Sequence, residues 1–511
     1  MRESHSAAKS SALHPESASH KLTNLLLNLA CLAGVAFIVT YLAVALLRLR
    51  YPYELEWMEG GAVDHVLRIL HGQLLYVKPS LEFIPYIYTP LYYYLSALVS
   101  LVTGVGFFPL RLVSLLACLG TLALIFTWIR NESGGWRLGL VAAGLFAATY
   151  HSCGDWFDIA RGDSLFIFLL IFGAFWLRFA RTPRTLLLAA VLIWLAFLAK
   201  QTTLFIAVPL IVYSVFVDRR KSLYFTGPFV ALTALSVWIL DLIHDGWFSY
   251  YIFRLPAHHK IDPEFYLGFW RTDILVQVPV ILLLAVALIV LAWFKRDRKL
   301  TAFYFFLCAG GVAASWSSRL HTGGYNNVLM PAFLVLCLTS GALLTTILGK
   351  SFREQSSSWR NWRILVLAAV IFQFGLLAYN PSEQVPTQWE NDAGAEVLKA
   401  LAAVPGDLYM PYHGYFPSEI GKHMYAHQMA IKDVARGDSA MARELTREMT
   451  DAFTSRRFGL VVIDYPWESA SLQRNYEVYS GMPQAVLSFQ PVTGYQTRPL
   501  FWYVPRKDTV K

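Results

Sequence analysis

Three glutamates, Glu54, Glu56 and Glu59, follow the first apolar block, and a glycine pair, Gly60-Gly61, comes directly after the last of them. A carboxylate beside glycines, where a substrate can approach the backbone closely, is suited to general-base work. Four further polar clusters stand between apolar blocks: Asp155, Asp158, Arg161 and Asp163; Lys200 and Gln201; His258, His259 and Lys260; and Arg319, His321, Asn326 and Asn327. Charged groups beside a bilayer are costly unless paired or solvated, so their convergence is a site hypothesis. The plainer reading is a set of solvated loops, local ion pairs and snorkelling helix ends. Adjacent His258 and His259 lack the i, i+4 spacing of a helical metal pair, and Asp155, Asp158 and Asp163 make no DxD pair, so neither cluster requires a metal or cofactor.

These clusters need elements to position them. Of the 511 residues 56% are hydrophobic and only 15% charged, against about 25% in ordinary soluble domains. The apolar residues fall in blocks that approach the roughly 20 residues needed to span a bilayer. Eleven spans are expected, at 25–47, 107–129, 138–153, 164–180, 185–199, 201–217, 223–243, 274–294, 301–317, 325–348 and 363–379. The stretch 88–105 reads instead as an outer juxtamembrane helix. With a cytoplasmic N-terminus every dense basic cluster then lies inside, including Arg219 to Lys221 and Lys295 to Lys299, and the acidic clusters lie outside. The net charge of +9 reflects this orientation and gives no nucleic-acid stripe. The five cysteines sit in or beside apolar segments, as small core residues.

Residues 1–22 read as a disordered cytoplasmic tail, 23–380 as the transmembrane domain and 381–511 as a small extracytoplasmic α/β domain. Within the last, helices are expected at 389–403 and 439–455 and strands at 408–410 and 458–463. The expected fold class is a polytopic α-helical membrane protein with this soluble appendage.

The succession Glu59-Gly60, Gly72 and Thr89-Pro90-Leu91-Tyr92 resembles the GT-C superfamily of integral membrane glycosyltransferases, in particular the bacterial branch similar to protein mannosyltransferases and aminoarabinose transferases. The resemblance continues more loosely through Arg111-Leu-Val-Ser, Arg161-Gly-Asp163, Leu198-Ala-Lys200-Gln201 and Arg319 to Pro331. It implies an inverting, metal-independent transfer of a sugar from a polyprenyl-phosphate donor, at the outer face of a bacterial inner membrane, to a glycan, lipid or protein acceptor. Glu59 is then the leading catalytic base and Glu56 its substitute, because the family's first acid aligns with Met58. Arg161, Lys200 and Arg111 are expected at the donor phosphate. Asp163, Gln201, His258, Arg319 and Asn326 are expected to contact substrate. The competing classes are a secondary transporter, which would show inverted repeats and ionisable residues near the middle of broken helices, neither of which is evident in the sequence, and a noncatalytic polyprenyl-lipid-binding protein.

Overall fold

The computed structural model describes residues 15–132, 135–348, 357–437, 439–467 and 469–507. Helix α1 (Pro15–Arg48) starts inside the stretch expected to be a disordered tail, and residues 1–14 of that expectation lie outside the described residues. After it come α2 (Glu59–Leu70), α3 (Leu91–Thr103), α4 (Phe107–Asn131), α5 (Trp136–Ala148), α6 (Asp163–Arg178), α7 (Pro183–Ala199), α8 (Thr203–Val217) and α9 (Arg219–Ile243). Short helical turns then lead to α10 (Pro279–Phe294), α11 (Arg298–Leu320), α12 (Met330–Leu348) and α13 (Ser357–Leu376).

Small residues let these apolar helices approach closely, as expected where dispersion replaces the hydrophobic drive between helices. A Cβ on Gly144 of α5 would stand 2.2 Å from Gly34 Cα of α1. Outward faces remain apolar: Leu32, Leu47, Leu223 and Leu242 are all more than 60% exposed. Among the described residues, five helices are long and apolar enough to cross a membrane, or seven if two bent pairs each count as one span. Helices α5, α7 and α8 are apolar but have 13, 17 and 15 residues. Helix α3, with 13 residues, reaches only about 20 Å and falls short of a roughly 30 Å hydrocarbon layer.

The expected span at 274–294 is shorter than its apolar run. The segment 265–276 meets α10 at 95°, and the buried Gln373 side chain of α13 fills the break. Its Oε1 accepts from Val280 N at 3.0 Å, and its Nε2 donates to Gln277 O at 2.9 Å. A broken helix inside an apolar protein needs such a substitute partner. The 185–217 stretch also divides, at an extended Lys200 between α7 and α8.

The C-terminal segment holds α14 (Gln388–Ala403), α15 (Gln428–Gly437) and α16 (Ser439–Thr454) around a four-stranded sheet. Its strands are β1 (Leu408–Tyr409), β2 (Leu460–Ile463), β3 (Tyr476–Val478) and β4 (Phe501–Pro505), in the order β1-β2-β4-β3. β1 runs parallel to β2, and the other pairs are antiparallel. Thr387 and Glu390 form a capping box that fixes the start of α14.

Candidate functional site

A cavity of ≈ 700 Å³ opens between the first polar loop, the α7–α8 junction, the turn before α12 and the C-terminal helix α15. Its lining mixes apolar side chains such as Leu204, Phe205 and Phe253 with Glu56, Arg161, Lys200 and Gln201. That combination suits a ligand with an apolar tail and a charged head.

The loop 51–58 is held from below by two buried arginines. Arg48, at the end of α1, grips both Asp158 oxygens at 2.6 Å and donates to Asp155 O at 2.5 Å. Arg111, from the first turns of α4, is fully buried and donates to the Tyr51 and Tyr53 carbonyls, both at 2.6 Å, and to Arg48 O at 3.3 Å. Its remaining N–H groups bind Glu59, Nε to Oε1 at 3.0 Å and Nη2 to Oε2 at 2.6 Å. The donors of Arg111 are thus taken by the loop it organises, and it is not among the residues lining the cavity.

Glu59 is likewise occupied and does not line the cavity. Besides Arg111, its carboxylate accepts from Leu55 N at 2.7 Å and from Ala160 N at 2.5 Å, and it is fully buried. Burial would raise its pKa, but the Arg111 charge and these four hydrogen bonds outweigh that and hold it below the usual carboxylate range. Both oxygens of this carboxylate are doubly occupied by donors of the protein.

Glu56 is the carboxylate that reaches the cavity. Its Oε2 accepts from Arg161 Nη1 at 2.9 Å and from Met58 N at 3.2 Å, while no described residue donates a hydrogen bond to Oε1. Burial pushes its pKa up to about 7, against the attraction of Arg161 and with the Glu59 charge adding to the rise. Glycine at 494 is required beside it, since φ is +79° and an added Cβ would stand 2.7 Å from Glu56 Cγ.

Arg161 also donates to Tyr88 Oη at 3.0 Å and lies over the Tyr88 and Trp156 rings, 5.3 and 5.5 Å from their centroids. Lys200, released by the helix break, pairs with Asp163 and stands 5.5 Å from the Tyr88 ring. Asp163 is thereby occupied: it also accepts from Asn327 Nδ2 at 3.1 Å and Trp156 Nε1 at 3.2 Å, and it lies behind Lys200 outside the main cavity. Gln201 lines the cavity with its Nε2 bound to Ile87 O at 2.7 Å and its buried Oε1 without a partner. A buried acceptor left open in this way has capacity for a ligand donor.

Besides Asp163, three expected contacts lie outside the cavity lining. His258 is exposed, its Nδ1 2.7 Å from Arg254 O, and the neighbouring His259 takes the lining place. Arg319 is committed to Asp273 at 2.9 Å and Gly324 O at 2.7 Å. Asn326 opens a 3₁₀ turn that carries Asn327 to the cavity instead. The sequence also left unmarked the contributions of the C-terminal segment. Lys432, Arg436 and Tyr495 line the cavity, and Thr493 N donates to Leu55 O at 2.9 Å. No motif in residues 381–511 signals them.

The loop is clamped from above as well. Buried His413 lies 2.9 Å from Glu54 Oε2 through Nδ1 and 3.0 Å from Asp464 Oδ2 through Nε2. Burial would lower the His413 pKa, but Asp464 and Glu54 together raise it to about 10. Asp64 of α2 accepts from Tyr415 N at 2.9 Å.

Residues 87–244 match the family model for dolichyl-phosphate-mannose-protein mannosyltransferases. The fold is similar to that of ArnT from Cupriavidus metallidurans bound to undecaprenyl phosphate, at 12% identity and a TM-score of 0.59, covering 93% of this chain and 98% of that one. The apo form of the same protein gives 13% identity and a TM-score of 0.52, with 92% and 97% covered. The apo oligosaccharyltransferase of Archaeoglobus fulgidus gives 12% identity and a TM-score of 0.51, with 84% and 69% covered. No curated protein matches the sequence. The GT-C resemblance drawn from the sequence motifs is therefore met twice, in a family match over α3 to α9 and in a fold shared along nearly the whole chain.

Proposed function

We propose that the chain is a polyprenyl-phosphate-dependent glycosyltransferase, embedded by eleven spans in a bacterial inner membrane with its N-terminus cytoplasmic and the cavity and C-terminal domain outside. The observation that carries this reading is the cavity itself, in which an open carboxylate oxygen of Glu56 shares one wall system with Arg161 and Lys200.

In this reaction an acceptor hydroxyl gives its proton to Glu56 while its oxygen attacks the anomeric carbon from the face opposite the phosphate. The new C–O bond forms, the bond to phosphate oxygen breaks, and the configuration inverts. The lipid phosphate leaves with an added negative charge, which Lys200 and Arg161 are positioned to stabilise. The Glu56–Arg161 pair couples the two ends. Once Glu56 takes up the proton its own charge is lost, and Arg161 is left with a stronger demand for the phosphate just as that group becomes more negative. Gln201 Oε1, which has no partner among the described residues, is available to a sugar hydroxyl.

The test is incubation of purified, nanodisc-embedded protein with a panel of polyprenyl-phosphate-linked sugars and periplasmic glycan extracts. Mass spectrometry follows release of polyprenyl phosphate. Release that depends on an acceptor supports the reading, and its absence for every donor counts against it.

A further inference from the structure

Two of the cations that line the cavity have no carboxylate partner among the described residues. Arg161 is matched by Glu56, Lys200 by Asp163, and His259 stands 3.2 Å from Asp433. Lys432 and Arg436 remain. Both project from α15 into the cavity, and no described carboxylate lies within salt-bridge distance of either. Their i, i+4 spacing puts like charges on one helix face, an arrangement that disfavours the free protein. It becomes favourable when an anion sits between them.

The surroundings of Lys432 identify what kind of anion. Its ammonium is 6.0 Å from the Trp57 ring centroid and 5.6 Å from that of Tyr495, and these two rings also line the cavity, 5.4 Å apart. Ring faces hold the cation without supplying a hydrogen-bond acceptor, and none of its N–H donors is taken by a described residue. Flat apolar faces beside free donors are the equipment for a sugar ring carrying a charged substituent. Trp57 is the chain neighbour of Glu56, which puts this wall next to the proposed base.

Building on the glycosyltransferase reading above, we propose that α15 forms an anion-recognition wall that selects a saccharide bearing a carboxylate or phosphate substituent. That saccharide is either the transferred sugar or the acceptor.

The experiment uses the full chain in nanodiscs with undecaprenyl phosphate at saturation, so that the donor-phosphate position is filled. Glucuronic acid, glucose 1-phosphate and glucose are then titrated, with tryptophan fluorescence as the readout. The two anionic sugars are expected to bind at least about tenfold more tightly than glucose. Lys432→Gln/Arg436→Gln should abolish that preference while leaving the undecaprenyl phosphate Kd unchanged, which also reports that the variant is folded. Equal binding of charged and neutral sugars to the wild type, or a preference that survives in the double variant, overturns the proposal. Repeating the titration with undecaprenyl-phosphate-linked glucose in place of undecaprenyl phosphate separates the sources. Anion binding that persists belongs to the acceptor, and anion binding that is displaced belongs to the transferred sugar. If undecaprenyl phosphate itself does not bind, the glycosyltransferase reading fails, whereas the charge preference of α15 is still measured by titration without it.

Discussion

Exchanging each of the two loop glutamates for glutamine should give opposite kinds of damage. Glu56→Gln keeps the side chain's shape and its place beside Arg161 but removes the proton acceptor. Loss of a general base typically costs about 10²- to 10⁴-fold in rate, so kcat should fall by that factor while the undecaprenyl phosphate Kd stays near wild type. The burial of Glu56 raises its pKa to about 7, and only the deprotonated form can act as base. Wild-type kcat/KM should therefore fall as pH drops below about 7 and reach a plateau above it, a limb that Glu56→Gln lacks. Glu59→Gln, in contrast, leaves Arg111 fully buried without its counterion. Breaking a buried pair from one side costs about 3 to 5 kcal/mol, a large share of the stability of a typical domain. The expected result is a lowered thermal midpoint and poor recovery of protein, with near-normal kcat in whatever fraction stays folded. Both variants are assayed in nanodiscs with matched folded fractions. A stable, donor-binding Glu59→Gln protein that is catalytically dead, alongside an active Glu56→Gln protein, would falsify the assignment of the base to Glu56.

Lys200→Gln is expected to weaken undecaprenyl phosphate binding by about 1.5 to 3 kcal/mol, measured by direct titration. An unchanged Kd there and in Arg161→Gln means that both cations serve only their carboxylates. His413 should make stability depend on pH. Its folded pKa of about 10 lies above the ordinary 6.5, so its contribution is complete below about pH 6.5 and disappears as pH rises through about 10. Glu54, raised by burial to about 8 against the pull of His413, acts in the same direction. His413→Gln should flatten that alkaline loss while lowering stability at neutral pH. A wild-type melting profile flat between pH 6.5 and 10 would contradict the charge bridge. Met58 also lines the cavity, so Met58→Asp in the Glu56→Gln background tests whether a carboxylate on the neighbouring wall can replace the base. Partial return of activity is expected, and none at all would tie the function to the Glu56 position alone.

The helices were legible because long apolar runs carry their own signal. The ends of α7, α11 and α16 fall within three residues of the expected bounds, and β1 and β2 lie where short apolar runs predict strands. The bend in the expected span at 274–294 was not legible because it depends on Gln373, a residue about ninety positions away. The site was legible at the level of clusters and not of individual atoms. Glu59 and Arg111 look functional in sequence for the same reason that they are buried in the fold: charged side chains near a membrane have to find a partner. Sequence alone does not tell which charge is consumed by another and which is left facing a cavity. That His259 and Asn327 line the cavity in place of His258 and Asn326 has a smaller cause, since one residue turns a side chain by about 100° on an α-helical turn and about 120° on a 3₁₀ turn. Strands β3 and β4, three and five residues long, carry too little alternation to stand out.

The boundary at residue 381 marks a change in composition, but the cavity does not respect it. The loop carrying Glu56 is fixed from the membrane side by Arg111 and Arg48, and from the C-terminal side by Thr493, Gly494 and the His413 bridge to Glu54. Without the C-terminal segment, Glu54 would lose its hydrogen-bonding partner, Asp64 its backbone donor, and the cavity the wall formed by α15. The small sheet is therefore best understood as half of the mould that sets the position of Glu56. Under the proposed function the membrane helices supply Arg161 and Lys200 for the lipid phosphate, α15 supplies a wall for an anionic saccharide, and the loop between them holds Glu56, the one carboxylate among the described residues that line the cavity.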